Sequence, residues 1–77
     1  MAQAYILIET EADKEREVLA TVGGSLPSCK ALAEGFVSGE VVAFLTCNDL
    51  DAMNRSIMRI AKIEGVKQIT TLHVKPA

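Results

Sequence analysis

Apolar residues along the chain fall into short runs of two kinds. Ala4-Tyr5-Ile6-Leu7-Ile8-Glu9-Thr10 is continuous and rich in β-branched and aromatic side chains, which predicts a strand buried on both faces as far as Glu9. Thr10-Glu11-Ala12-Asp13 then fits a capping pattern, with Asp13 in the glutamate place. The helix it opens carries Val18, Leu19 and Val22 as one stripe, and Gly23-Gly24 is expected to end it before Leu26-Pro27. From Ser28 to Val37 small residues (Cys29, Ala31, Ala33, Gly35) alternate with larger ones, a period that predicts a strand. Ser38-Gly39 marks a tight turn, and Glu40 to Cys47 returns with Val41, Ala43, Leu45 and Cys47 on one face. Asn48 or Asp49 caps a second helix, in which Leu50, Met53, Ile57, Ile60 and Ala61 recur at helical spacing. Gly65 closes it, and Val66 to Lys75 reads as the last strand.

The resulting order, β-α-β-β-α-β, is that of the split βαβ unit. The predicted fold class is therefore α+β, ferredoxin-like. A four-stranded antiparallel sheet carries both helices on one face. The other sheet face has no cover within the chain and is mostly apolar, so a second sheet is expected to meet it and form a dimeric α/β barrel. Composition supports this. The chain has 77 residues, enough for one domain, yet 49% are hydrophobic and the mean hydropathy is +0.25. A subunit interface accounts for that surplus. A membrane span does not, because the longest apolar runs, Ala4 to Ile8 and Val41 to Leu45, fall far short of the ~20 residues a span requires. No basic segment followed by an apolar one starts at Met1, so no secretory signal is expected. Met1 just ahead of the first strand reads as the start of a complete product in the cytoplasm.

Charge removes further classes. Ten acidic against eight basic residues give a net charge of −2, and aromatics are only 4%. Neither a phosphate grip nor a stacking platform is expected, hence no direct nucleic-acid contact. Cys29 and Cys47 read as reduced structural thiols rather than a disulfide, metal ligands or nucleophiles. His73, the single histidine, lies near the end of the last strand with no nucleophile near it in sequence, and reads as a rim residue. The acidic run Glu9, Glu11, Asp13, Glu15, Glu17 reads as a solvated helix start rather than a metal site. Met53 and Met58 read as core filler, and Gly23-Gly24 lacks the companions of a phosphate loop. No cofactor and no metal are expected. What remains is binding: the amides of Ser38-Gly39-Glu40 can hold a carboxylate, and Thr70 and Thr71 offer hydroxyls.

Four segments share one register with a known family. Ala4-Tyr5-Ile6-Leu7-Ile8, Val37-Ser38-Gly39-Glu40, Asn48-Asp49-Leu50 and Ile60-Ala61-Lys62-Ile63-Glu64-Gly65-Val66 resemble the effector-binding (RAM) domain of the Lrp/AsnC transcription regulators over essentially residues 1–77. The resemblance implies the same fold, dimers joined through their sheets, and rings of dimers. It also implies an amino-acid effector held near the hairpin turn, and full-length Lrp/AsnC regulators as partners. Ligand-binding positions are then Ser38, Gly39, Glu40, Val42, Thr70 and Thr71. Most members carry a helix-turn-helix ahead of this domain, and no such segment is present here. The family hairpin usually reads Gly-x-aromatic-Asp, whereas this chain reads Gly39-Glu40-Val41-Val42, with Val42 in the aspartate's place. The ligand is then less polar, or recognised by Glu40 or Thr70, or absent. The implied function is non-enzymatic sensing and oligomerisation that modulates transcription or metabolism. The alternatives are a purely structural assembly module, and a small dimeric-barrel enzyme built around His73.

Overall fold

The computed structural model describes residues 1–35 and 37–74. Its elements are β1 (Ala2–Thr10), α1 (Glu15–Ser25), β2 (Cys29–Glu34), β3 (Glu40–Cys47), α2 (Leu50–Ala61) and β4 (Val66–Val74). The four strands form one antiparallel sheet in the order β2-β3-β1-β4, the ferredoxin-like arrangement. Alternation sorts the side chains. Ala4, Ile6 and Ile8 of β1 and Val41, Ala43, Leu45 and Cys47 of β3 are buried against Val18 and Val22 of α1 and Met53 and Ile60 of α2. Both helices therefore cover the same sheet face.

The opposite face is uncovered. In register it presents Tyr5 and Leu7 of β1, Val42 and Phe44 of β3, Ala31 and Ala33 of β2, and Thr70, Leu72 and Val74 of β4. Tyr5 and Phe44 pack their rings with centroids 4.8 Å apart. Even so, Tyr5 remains 48% and Leu72 67% exposed.

Several boundaries differ from the sequence reading. Thr10 does not cap α1. It stays in β1, its amide donating to the Gly39 carbonyl at 2.8 Å, while its buried Oγ1 has no hydrogen-bond partner among the described residues. The ladder on both sides of β1 outweighs the local capping signal, and the chain needs Glu11 to Lys14 to turn from sheet to helix. Asp13 makes part of that turn with a left-handed φ of +63°, and Lys14 precedes α1 without a side-chain cap.

Gly23 and Gly24 lie inside α1 rather than ending it, and the helix closes at Leu26, just before Pro27. A Cβ on Gly23 would meet Leu32 Cδ2 at 3.3 Å, so this glycine allows close approach of α1 to β2. A Cβ on Gly24 would meet nothing within 4 Å. Gly24→Ala is therefore expected to stabilise the protein by about 0.5–1 kcal/mol, through lower unfolded-state entropy and better helix propensity. A urea midpoint that rises with unchanged slope checks this, and an unchanged or lower midpoint contradicts it.

The second helix keeps Met53, Ile57 and Ile60 of its predicted stripe against the core, while Leu50, 62% exposed, and Ala61 at its two ends face outward. Asp49 is the cap, accepting from the Ala52 amide at 2.8 Å. Gly65 closes the following turn at φ +97°, where a Cβ would press on Lys14 and Val18. Met58, expected in the core, instead points outward and is 58% exposed, because it falls off the stripe set by Met53 and Ile60. β2 is shorter than Ser28 to Val37. A register shift between Cys29 and Ala31 interrupts its pairing, and Phe36 and Lys75 lie outside the described residues. Both cysteines are free. Among the described residues no helix is long and apolar enough to cross a membrane.

Candidate ligand-binding turn and sheet face

The hairpin turn between β2 and β3 is held from outside. Glu15, the first residue of α1, directs Oε2 at the turn, where the Gly39 amide donates to it at 2.7 Å and Ser38 Oγ at 3.2 Å. Of the amides that the sequence marks as a carboxylate nest, that of Gly39 thus already holds a carboxylate of the chain itself. Gly39 makes the geometry possible with φ +88°. Hydrogen bonds from the backbone amide of Glu15 itself and then from Gly39, with a smaller one from Ser38, hold the Glu15 carboxyl below its ordinary value.

The sign of the pH dependence follows. A depressed carboxyl contributes its tether above the ordinary carboxylate range, and the tether is lost as pH falls through the lowered value. In an NMR titration the Gly39 amide is expected to move with the Glu15 carboxylate at a midpoint below 4.5, its ordinary value. A Gly39 amide indifferent to that titration would remove the tether from the account.

The other predicted positions divide between the two sheet faces. Val42 and Thr70 flank Leu7 on the uncovered face, in register across β3, β1 and β4. Glu40 lies on the same face, directly opposite Glu9. Thr71 pairs with Ile6 and so lies on the helix side. Glu40 and Val42, with Leu7, Ala33 and Gly35, line a mainly apolar groove of about 410 Å³ on the uncovered face. That volume lies within the ordinary range for small-ligand sites, about 300–1,000 Å³. Gly35 is required there, because a Cβ on it would come within 2.7 Å of Glu40 Cβ.

Glu15 is the residue that sequence reasoning assigned elsewhere, as a dipole-compensating acid at a helix start. Its partner lies 24 residues away, and the available signal was a first-turn acid together with a Ser-Gly turn.

Catalytic groupings are sparse. Among the described residues no cluster of His, Cys, Asp and Glu is placed to hold a metal ion. Partial burial raises the Cys29 thiol pKa, which keeps it protonated at neutral pH. His73 is exposed beside Ala4, at an open cleft of about 580 Å³ bordered by Gln3, Asn48, Asp49 and Leu50. Among the described residues no serine or cysteine lines that cleft.

No family model matches the sequence, and no curated protein matches it significantly. Solved structures do match. FFRP-DM1 is 24% identical with a TM-score of 0.90, over 97% of this chain and all of that one. AsnC of E. coli is 19% identical with a TM-score of 0.87, over 99% of this chain but 52% of its own length. The fold is shared with an AsnC-type regulator. The transcriptional regulator NMB0573 of Neisseria meningitidis, solved as an L-Met complex, is 17% identical with a TM-score of 0.81, over 97% of this chain and 50% of that one. The same fold also matches NapD, a Tat proofreading chaperone of E. coli, at 12% identity and a TM-score of 0.82. This chain thus has the architecture of about half of an AsnC-type regulator, and these neighbours are regulators and a chaperone rather than enzymes.

Proposed function

We propose that this chain is a non-enzymatic sensing and assembly module of the Lrp/AsnC type, an effector domain working in the cytoplasm. The observation that carries this reading is the match of the whole chain to about half of AsnC and of a regulator solved with L-Met. The uncovered apolar sheet face supports its assembly arm: two copies pair through that face, and the dimers join into a ring. Full-length regulators of the same fold are the proposed partners.

The proposed ligand is an amino acid, taken up where the groove meets the hairpin turn. Its carboxylate takes the place of Glu15 on the Gly39 amide and Ser38 hydroxyl. Val42 cannot accept from its ammonium. Glu40 can, and Glu9 directly opposite doubles the local negative charge. Two like charges facing each other across a ladder destabilise a bare sheet, and a cation between them relieves that. Thr70 borders the same face, and Thr71 supports it from the helix side.

A thermal-shift screen of the twenty amino acids on wild type and Glu15→Gln, with native mass measured in parallel, tests this. A ligand at 100 times its Kd adds about 2.7 kcal/mol to the folded state, a readily visible shift. The expected result is one class of amino acid raising Tm on an intact oligomer, more strongly in Glu15→Gln. An intact oligomer with no response in either protein supports the second reading, a structural assembly module. That reading draws on Val42 in the acceptor position and on the nest being filled from within. A monomer without response overturns both.

A further inference from the structure

At the far end of β3 from the hairpin turn, a second cleft of about 330 Å³ opens between the start of β2 and the outer side of α2. Ser28, Lys30, Thr46, Asn48, Ser56 and Arg59 supply its polar lining. Ser28 Oγ and Ser56 Oγ lie 3.1 Å apart, and Ser56 Oγ lies 3.8 Å from the buried Cys47 Sγ. Three donor groups joined by two contacts use two protons, so one donor of the chain has no acceptor among the described residues.

The cations beside these hydroxyls are anchored but not neutralised. Lys30 Nζ donates to the Pro27 carbonyl at 3.2 Å, and Arg59 Nη2 to the Ser25 carbonyl at 3.1 Å. Arg59 therefore also meets the negative end of α1. These are neutral acceptors. Among the described residues the ion pair formed is Lys14–Glu17, and no acidic residue lines the cleft. In a chain of net charge −2, this is a local concentration of uncompensated positive charge beside one spare donor of the Ser28–Ser56–Cys47 chain.

We propose that this cleft binds a phosphate group, as the free ion or as a phosphate monoester. A carboxylate brings one charge and two oxygens, which leaves one cation and a hydroxyl unmatched. A phosphate brings nearly two charges and at least three acceptor oxygens, which suits Lys30, the Arg59 fork and the serine hydroxyls together. The site lies apart from the hairpin turn and does not depend on the effector reading.

The test is an amide NMR titration of the full chain with inorganic phosphate, glycerol 3-phosphate and acetate, at constant ionic strength in chloride. Saturable shifts centred on Ser28, Lys30, Cys47, Ser56 and Arg59 are expected with both phosphates, and much weaker ones with acetate. Lys30→Gln and Arg59→Gln are each expected to weaken binding about tenfold or more, the size of one charge-assisted hydrogen bond. If Arg59→Gln disturbs the end of α1, Lys30→Gln decides alone, since its anchor lies in a loop. Tighter binding of the ester identifies a phosphorylated metabolite as the ligand, and tighter binding of the free ion identifies phosphate itself. Shifts that never saturate, that spread over all surface cations, or that survive Lys30→Gln unchanged overturn the proposal.

Discussion

If two copies pair through the uncovered sheet face as proposed, Phe44→Glu is expected to leave folded monomers. Phe44 lies on the uncovered face, in register with Tyr5 on one side and Ala31 on the other, and takes no part in the buried core on the helix side. The fold of a single chain therefore tolerates a charge there. A second sheet laid on that face does not, because two carboxylates per dimer would be buried without partners, at several kcal/mol each. A weakening of the dimer by about a hundredfold or more follows, since each 1.4 kcal/mol is about tenfold. Sedimentation or native mass should show a single chain, and circular dichroism an unchanged spectrum. An oligomer of wild-type size would mean that the sheets do not meet through this face.

Leu45→Ala is expected to cost about 3–5 kcal/mol. Leu45 is fully buried on β3, paired with Ala4 and Cys29. Its small neighbours cannot spread to fill the space left behind, which places the cost toward the upper end of the range for leucine truncation. For a chain of this length the whole stability is on the order of 4–12 kcal/mol, so one side chain carries a large share of it. Urea unfolding measures the loss, and a cost under about 1 kcal/mol would mean that the layer between sheet and helices is loosely packed. Together the two substitutions separate the layers: Leu45 bears on the fold, Phe44 on assembly.

Strand periodicity carried the sequence reading of the fold, because one face of each central strand is buried and the other is not. The alternation of Val41, Ala43, Leu45 and Cys47 survives intact as the buried face of β3. What periodicity could not decide was where local and long-range signals compete. Thr10 has the chemistry of a cap, but its pairing with Val66 of β4 and the bond from its amide to the Gly39 carbonyl keep it in the sheet. Gly23 and Gly24 have the chemistry of a helix end, but tolerable cost and the proximity of Leu32 keep α1 going to Ser25. At the candidate site, the Ser-Gly turn was legible as a set of donors. Its occupant was not, because Glu15 reaches it through tertiary structure alone.

The place of β1 in the sheet has a consequence for biosynthesis. It is an interior strand that precedes both of its partners, residues 40–47 and 66–74, in chain order. Its apolar segment Ala4 to Ile8 emerges from the ribosome with nothing to pair with until the β3 segment follows, and one edge stays open until β4 is made. The nascent chain therefore carries an unpaired apolar strand until residues 40–47 have followed it, a state exposed to aggregation. Early chaperone contact should concentrate on residues 4–8. Slow translation between β1 and β3 should lower the soluble yield more than slow translation after α2.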